Sequence, residues 1–73
     1  MKKTLIKSDI AGVVNEICFS KGDIVKKGES LLFIESMKME IPIEAPFDSE
    51  IEEIFINKDE VISQNQPLLT LKS

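Results

Sequence analysis

The second half of this chain repeats the first. Laying A-G-V-V-N-E-I-C-F-S-K-G-D-I-V-K-K-G-E-S-L-L-F-I-E-S, from Ala11, over D-S-E-I-E-E-I-F-I-N-K-D-E-V-I-S-Q-N-Q-P-L-L-T-L-K-S, from Asp48, gives an ungapped offset of 37 residues to the end of the sequence. Glu16, Ile17, Lys21, Leu31, Leu32 and Ser36 meet identical residues at Glu53, Ile54, Lys58, Leu68, Leu69 and Ser73. Val14, Phe19, Ile24, Val25 and Ile34 meet the apolar Ile51, Ile56, Val61, Ile62 and Leu71. Two copies of one small unit cannot each bury an apolar face alone, so they must close on one another around a shared core.

Each copy reads as β structure: a strand (Val13 to Phe19; Glu50 to Ile56), a tight turn (S-K-G-D; N-K-D-E) and a short extended piece (Ile24-Val25; Val61-Ile62). A second turn (K-K-G-E; S-Q-N-Q) and a second strand (Leu31 to Glu35; Leu68 to Leu71) follow. The spacing Val14, Ile17, Phe19, repeated as Ile51, Ile54, Ile56, breaks strict alternation once, which predicts a bulge near Asn15-Glu16 and Glu52-Glu53. Gly12, Gly22 and Gly28 become Ser49, Asp59 and Asn65. Asp and Asn are the residues after glycine that best tolerate positive φ, so Asp59 and Asn65 are expected to keep the turn shape, whereas Ser49 fits that role poorly.

The expected fold class is all-β: a flattened β-barrel or sandwich, a barrel-sandwich hybrid of two four-stranded sheets related by a pseudo-twofold. Thr4 to Lys7 and Met39 to Glu44 complete the sheets, and residues 1–73 form a single domain. Shifted by the offset, the segment around Lys38 falls on the chain termini. The hairpin carrying Lys38 should therefore project from the end of the molecule opposite them.

Composition narrows what such a domain can do. A chain of 73 residues has no room for an enclosed active site, and without histidine it cannot build a His-based triad. The absence of histidine and of a cysteine cluster also argues against a zinc site, and no loop signature supports calcium or magnesium, so neither catalytic nor metal-binding residues are assigned. A net charge of −4 opposes a nucleic-acid surface. The longest apolar run, Leu31 to Ile34, is far too short to span a membrane, and M-K-K-T-L-I-K-S lacks the apolar core of a signal peptide. The cytoplasm is the expected compartment. Cys18, the lone cysteine, is expected in a strand as a small apolar filler. Glu50, Glu52, Glu53, Asp59 and Glu60 are expected to form a solvated face, and Lys26-Lys27 to keep a turn soluble.

Between the two copies lies E-S-M-K-M-E, Glu35 to Glu40, with L-L-F-I before it and I-P-I after it. A connection between strands is normally built on glycine or asparagine; this one carries two methionines and a lysine. Alone, such a segment would pass for an ordinary surface turn. At the apex between symmetric halves, Met37 and Met39 stand where polar residues would normally be chosen, and Lys38 is displayed with no base or electrophile beside it. That makes a poor catalytic lysine and a good attachment point, since an amide on its Nζ would carry a group on a long flexible stem.

The run G-D-I-V-K-K-G-E-S-L-L-F-I-E-S-M-K-M-E, with I-E-A-P-F after it, resembles the biotinyl domain family, the biotin carboxyl carrier domains of biotin-dependent carboxylases and decarboxylases. The resemblance extends from about Lys7 to Leu71. It implies that Lys38 is acylated with biotin by biotin protein ligase, with Met37, Met39 and the acidic Glu35 as recognition positions. It further implies that biotin is carboxylated on its ureido nitrogen at a biotin carboxylase, using ATP and bicarbonate, and delivered to a carboxyltransferase. The arm would reach about 14 Å beyond the Lys38 Cα. The domain itself would not be an enzyme but a carrier, with an acetyl-CoA or other acyl-CoA carboxylase as its parent assembly. The sequence departs from the family pattern at S-D-I-A-G and at A-P-F-D-S, and no insertion precedes K-G-D, which resembles the thumbless carriers. Two alternatives remain at this level: a lipoyl carrier of a 2-oxoacid dehydrogenase, which Met37 and Met39 oppose, and an unmodified interaction module.

Overall fold

The computed structural model describes residues 2–73. Its elements are all strands: β1 (Lys3–Lys7), β2 (Gly12–Ile17), β3 (Ile24–Val25), β4 (Ser30–Ser36), β5 (Met39–Glu44), β6 (Ser49–Ile54), β7 (Val61–Ile62) and β8 (Pro67–Lys72). They form two four-stranded antiparallel sheets, ordered β1-β8-β6-β3 and β5-β4-β2-β7. The expected all-β architecture of two related sheets is the one observed. Shifting β2 and β3 by 37 residues gives the bounds of β6 and β7. The first strand of each copy ends at Ile17 and Ile54, two residues earlier than the sequence suggests, and β1 begins one residue sooner, at Lys3.

The repeat holds at the level of single hydrogen bonds. Val14 pairs with Ile34 and Ile51 with Leu71, and both ladders then skip one residue, Asn15 in β2 and Glu52 in β6. These are the two bulges anticipated from the broken alternation, and they bend each sheet around the core. Turn bonds recur in the same way. The N–H of Gly22 donates to the Ile51 carbonyl at 2.8 Å, and that of Asp59 to the Val14 carbonyl at 2.7 Å. The N–H groups of Gly28 and Asn65 donate to Ala45 and Ser8 at 2.8 and 2.6 Å. Each of these bonds joins one copy's turn to the other copy's strand or its flank, so the two units are interlocked rather than stacked.

Asp59 and Asn65 adopt φ of 71° and 69° where their mates Gly22 and Gly28 have 95° and 89°. The substitution of Asp and Asn for glycine thus keeps the left-handed turn, as expected. Gly12 does not belong with them, because neither it nor Ser49 has positive φ. Glycine is needed at position 12 for close approach: a Cβ there would lie 2.5 Å from the Glu35 carbonyl oxygen and 2.8 Å from Ile34 Cγ2. Ser49 is buried and donates its hydroxyl to the Phe47 carbonyl at 3.2 Å.

Between the sheets lies one apolar core whose members come mostly in mate pairs: Val14 and Ile51, Val25 and Ile62, Leu31 and Leu68, Leu32 and Leu69, Ile34 and Leu71. Each large aliphatic side chain removed from water here contributes on the order of 1.5–3 kcal/mol, the main favourable term for so small a domain.

The topology also fixes the ends of the molecule. β5 runs from the β4–β5 turn to Glu44, and the chain then crosses through Ala45–Asp48 into β6, whose Glu50 pairs with Lys72 near the C-terminus. The termini therefore lie at the end opposite that turn, in a molecule 36 Å long and 17–18 Å across.

Candidate functional site

Met37 and Lys38 form the two-residue turn between β4 and β5, closed by the Ser36–Met39 pair. Both have positive φ, 53° and 63°. A two-residue hairpin with both central residues left-handed is the type I′ arrangement, which matches the right-handed twist of the strands but selects for Asn-Gly. Met and Lys each carry a Cβ that crowds the backbone there, at roughly 1–2 kcal/mol per residue. Backbone strain held at one exposed tip points to selection for something other than stability.

The side chains at this tip face water. Met37 is 91% exposed and Met39 63%, and Lys38 and Glu35 are exposed as well. Among the described residues Lys38 makes no ion pair or side-chain hydrogen bond. Burial therefore does not explain the methionines, and the Lys38 amine is sterically open to an acylating enzyme. The structure places Met37, Lys38 and Met39 together at the tip, with Glu35 one pair below Ser36 and Met39.

The ladder adds a residue that the sequence reading passed over. Glu35 stands directly opposite Glu40, and Glu40 accepts a hydrogen bond from the Asn15 side chain at the β2 bulge. A two-residue turn at Met37-Lys38 already implied that pairing. Across the pseudo-twofold, Glu35 and Glu40 correspond to Lys72 and Lys3, and the Asn15–Glu40 contact corresponds to the Lys3–Glu52 ion pair at 3.2 Å. The scaffold accepts either sign at these positions, so the acidic pair beneath Lys38 is a property of this sequence rather than of the fold.

Two other expectations are corrected. Cys18 lies just beyond β2 and is exposed, so it fills no core space. Desolvation raises its pKa, and the carboxylates of Glu16 and Glu40 raise it further. The acids expected to form a solvated face are not uniformly so: Glu50, Glu52, Glu53 and Glu60 are half-buried. Glu52 and Glu53 pair with Lys3 and Lys21, and Glu60 accepts the Asn57 N–H at 3.0 Å. They hold turns and strand faces in place.

Two interlocked β units that raise one strained lysine, unpaired among the described residues, on a hairpin define a class: small two-sheet β domains that display a lysine at an exposed tip. The family profile described as biotin-requiring enzyme, covering biotin and lipoyl attachment, matches residues 3–71. The chain belongs to this family. It is 33% identical over 64 residues to the mitochondrial methylcrotonoyl-CoA carboxylase subunit alpha of Dictyostelium discoideum, covering 88% of this chain and 9% of that protein. It is 43% identical over 51 residues to the biotin carboxyl carrier protein of acetyl-CoA carboxylase of Streptococcus pyogenes, covering 70% of this chain and 31% of that one. The solution structure of the lipoyl domain of the 2-oxoglutarate dehydrogenase complex from Azotobacter vinelandii superposes with a TM-score of 0.83 at 25% identity, covering 94% of this chain and 95% of that domain. The chain thus spans less than a third of the length of these two carboxylase relatives.

Proposed function

We propose that this chain is a biotin carrier in which biotin is joined by an amide to Lys38 Nζ. The observation that carries the proposal is the exposed, left-handed Met37-Lys38 turn at the end of the molecule away from the termini. The lysine fits the group: its amine has no ion-pair partner among the described residues, and no cradle of side chains surrounds it. Biotin supplies a ureido nitrogen that can bear a carboxyl group. The chain contributes a rigid post, a flexible stem and a tip whose apolar methionines and acidic Glu35 give biotin protein ligase something to recognise. Tethering raises the effective concentration of the carried group at each site the domain visits.

The partners in this reading are the ligase, a biotin carboxylase and a carboxyltransferase, acting in the cytoplasm. An acyl-CoA is the proposed acceptor, a reading supported by the two carboxylase relatives. The likeness to a lipoyl domain supports the fold and leaves the attached group to experiment.

Intact mass spectrometry after incubation with biotin, ATP and a biotin protein ligase should show one biotin per chain, and none in Lys38→Arg. A lipoyl adduct formed instead, or an unmodified chain with both ligases, would reject the biotin reading.

A further inference from the structure

β1 is an edge strand with an unusable twin and a usable outer side. Lys2 and Ser73 exchange both backbone hydrogen bonds at 2.9 Å, and the Ser8 N–H donates to the Gln66 carbonyl at 2.9 Å. In an antiparallel ladder, bonded residues alternate with residues whose N–H and C=O point the other way. Lys3, Leu5 and Lys7 therefore turn their backbone groups away from β8, and among the described residues no strand pairs with that side. On β5, the symmetry mate of β1, the corresponding residues are Glu40, Pro42 and Glu44. Pro42 has no N–H, so the centre of that edge cannot complete a ladder. Proline blocks the ladder at one edge of the molecule, whereas the other keeps its donors and is guarded only by the charges of Lys3 and Lys7.

Two depressions adjoin β1. On the outer face, Leu5 (44% exposed) and Phe55 (50% exposed) border a hollow of about 530 Å³ closed by Gln66 and Pro67. On the inner side, a groove of about 330 Å³ runs between β1 and β5, lined by the apolar Ile6, Ile41 and Ile43 and by the charged Lys7, Asp9 and Glu44. Successive residues of a strand point to opposite faces, so an added strand would set alternate side chains beside Leu5 on the outer face and toward the groove on the inner one. Lys3 and Lys7 are exposed at the two ends of β1, and Lys7 lines the inner groove. Lys3 is shared with Glu52 at 3.2 Å, and Lys7 has no ion pair among the described residues.

We propose that β1 accepts an extended acidic segment of a partner protein as a fifth strand of its sheet, with acidic side chains opposite Lys3 and Lys7 and apolar ones opposite Leu5 and Ile6. Main-chain bonds to Lys3, Leu5 and Lys7 supply the ladder, and the side chains of β1 beside them set the sequence preference. A second copy is a poorer occupant. Antiparallel β1–β1 pairing about Leu5 sets Lys3 of each copy against Lys7 of the other, and like charges directly opposite are destabilising. A second copy's β5 has acids in suitable places but lacks the central donor at Pro42.

The test is a titration of the isotope-labelled intact chain with a capped peptide of three apolar β-branched residues between two glutamates, followed by amide NMR. The expected result is shifted, exchange-protected amides at Lys3, Leu5 and Lys7, none at Glu40 or Glu44, and binding about ten-fold weaker when lysines replace the glutamates. Leu5→Pro, which copies Pro42 at the mate position, should abolish binding. Should that variant not fold, Lys3→Glu/Lys7→Glu should reverse the preference between the two peptides. Shifts confined to β5, equal binding of both peptides, unchanged binding by a folded Leu5→Pro, or concentration-dependent dimerisation protecting the same amides would each overturn the proposal.

Discussion

Met37 and Lys38 stand side by side in the left-handed region, at φ 53° and 63°, in a turn whose geometry favours Asn-Gly. Replacing them with the favoured pair, Met37→Asn with Lys38→Gly, should therefore stabilise the domain by about 1–2 kcal/mol, seen as a higher urea midpoint. The same change should remove all biotin from the chain on a streptavidin blot. A stability equal to or below that of the parent would mean that the turn stores no strain.

Asp59 and Asn65 hold the left-handed turns that glycine holds in the first copy. Asp59→Gly and Asn65→Gly should be neutral or stabilising by up to about 0.5 kcal/mol, because lower strain is partly offset by a more flexible unfolded chain. Asp59→Ala and Asn65→Ala should each lose about 1 kcal/mol. Thermal melts of the four variants distinguish these outcomes, and a clear loss in both glycine variants would contradict the shared turn geometry.

Gly12 and Ser49 are mates with different tolerances. In Gly12→Ser the new Cβ meets the Glu35 carbonyl, which is backbone and cannot step aside, so a loss of about 1–3 kcal/mol is expected. Ser49→Gly should lose at most about 1 kcal/mol. Chemical denaturation of the two single variants should show the larger loss at position 12, although serine is the residue its mate already carries.

Cys18 holds its proton to higher pH when folded than when unfolded, through desolvation first and then the carboxylates of Glu16 and Glu40. Below the ordinary thiol range both states are protonated and stability is unaffected. As pH rises through that range the unfolded chain ionises first, so stability falls. Alkylation, which requires the thiolate, should be slower in the native chain than in urea at mildly alkaline pH, and Glu40→Gln should speed the native reaction. Equal rates in both states would refute the shift.

The repeat made most of the architecture legible, because apolar registration between Val14 and Ile51 or Leu32 and Leu69 is imposed by a common core. The bulges could be read for the same reason: one missed alternation appears in both copies. Side-chain roles were harder to see. The spacing in S-K-G-D and in K-K-G-E already contains the turn bonds in which Asp23 and Glu29 accept the N–H groups of Ser20 and Lys26, at 2.8 and 2.7 Å. Composition registers such residues only as turn polarity. Gly12 was misread because glycine serves two purposes, left-handed φ and close approach, and only tertiary neighbours tell them apart. At the tip, Lys38 was legible from symmetry, whereas the Asn15–Glu40 contact joins strands that are not neighbours in sequence.

The Lys2–Ser73 backbone pair has the form of the Ser36–Met39 pair that closes the lysine hairpin. The fold is thus a ring cut at one of two equivalent corners. A two-residue link between Ser73 and Lys2 would seal it, and the backbone could then be opened at another turn to give a circular permutant with the same core. If that link were itself Met-Lys, the permutant would carry an attachment lysine at each pole, which would separate what the ligase reads in the hairpin from what it reads in the surrounding sheet.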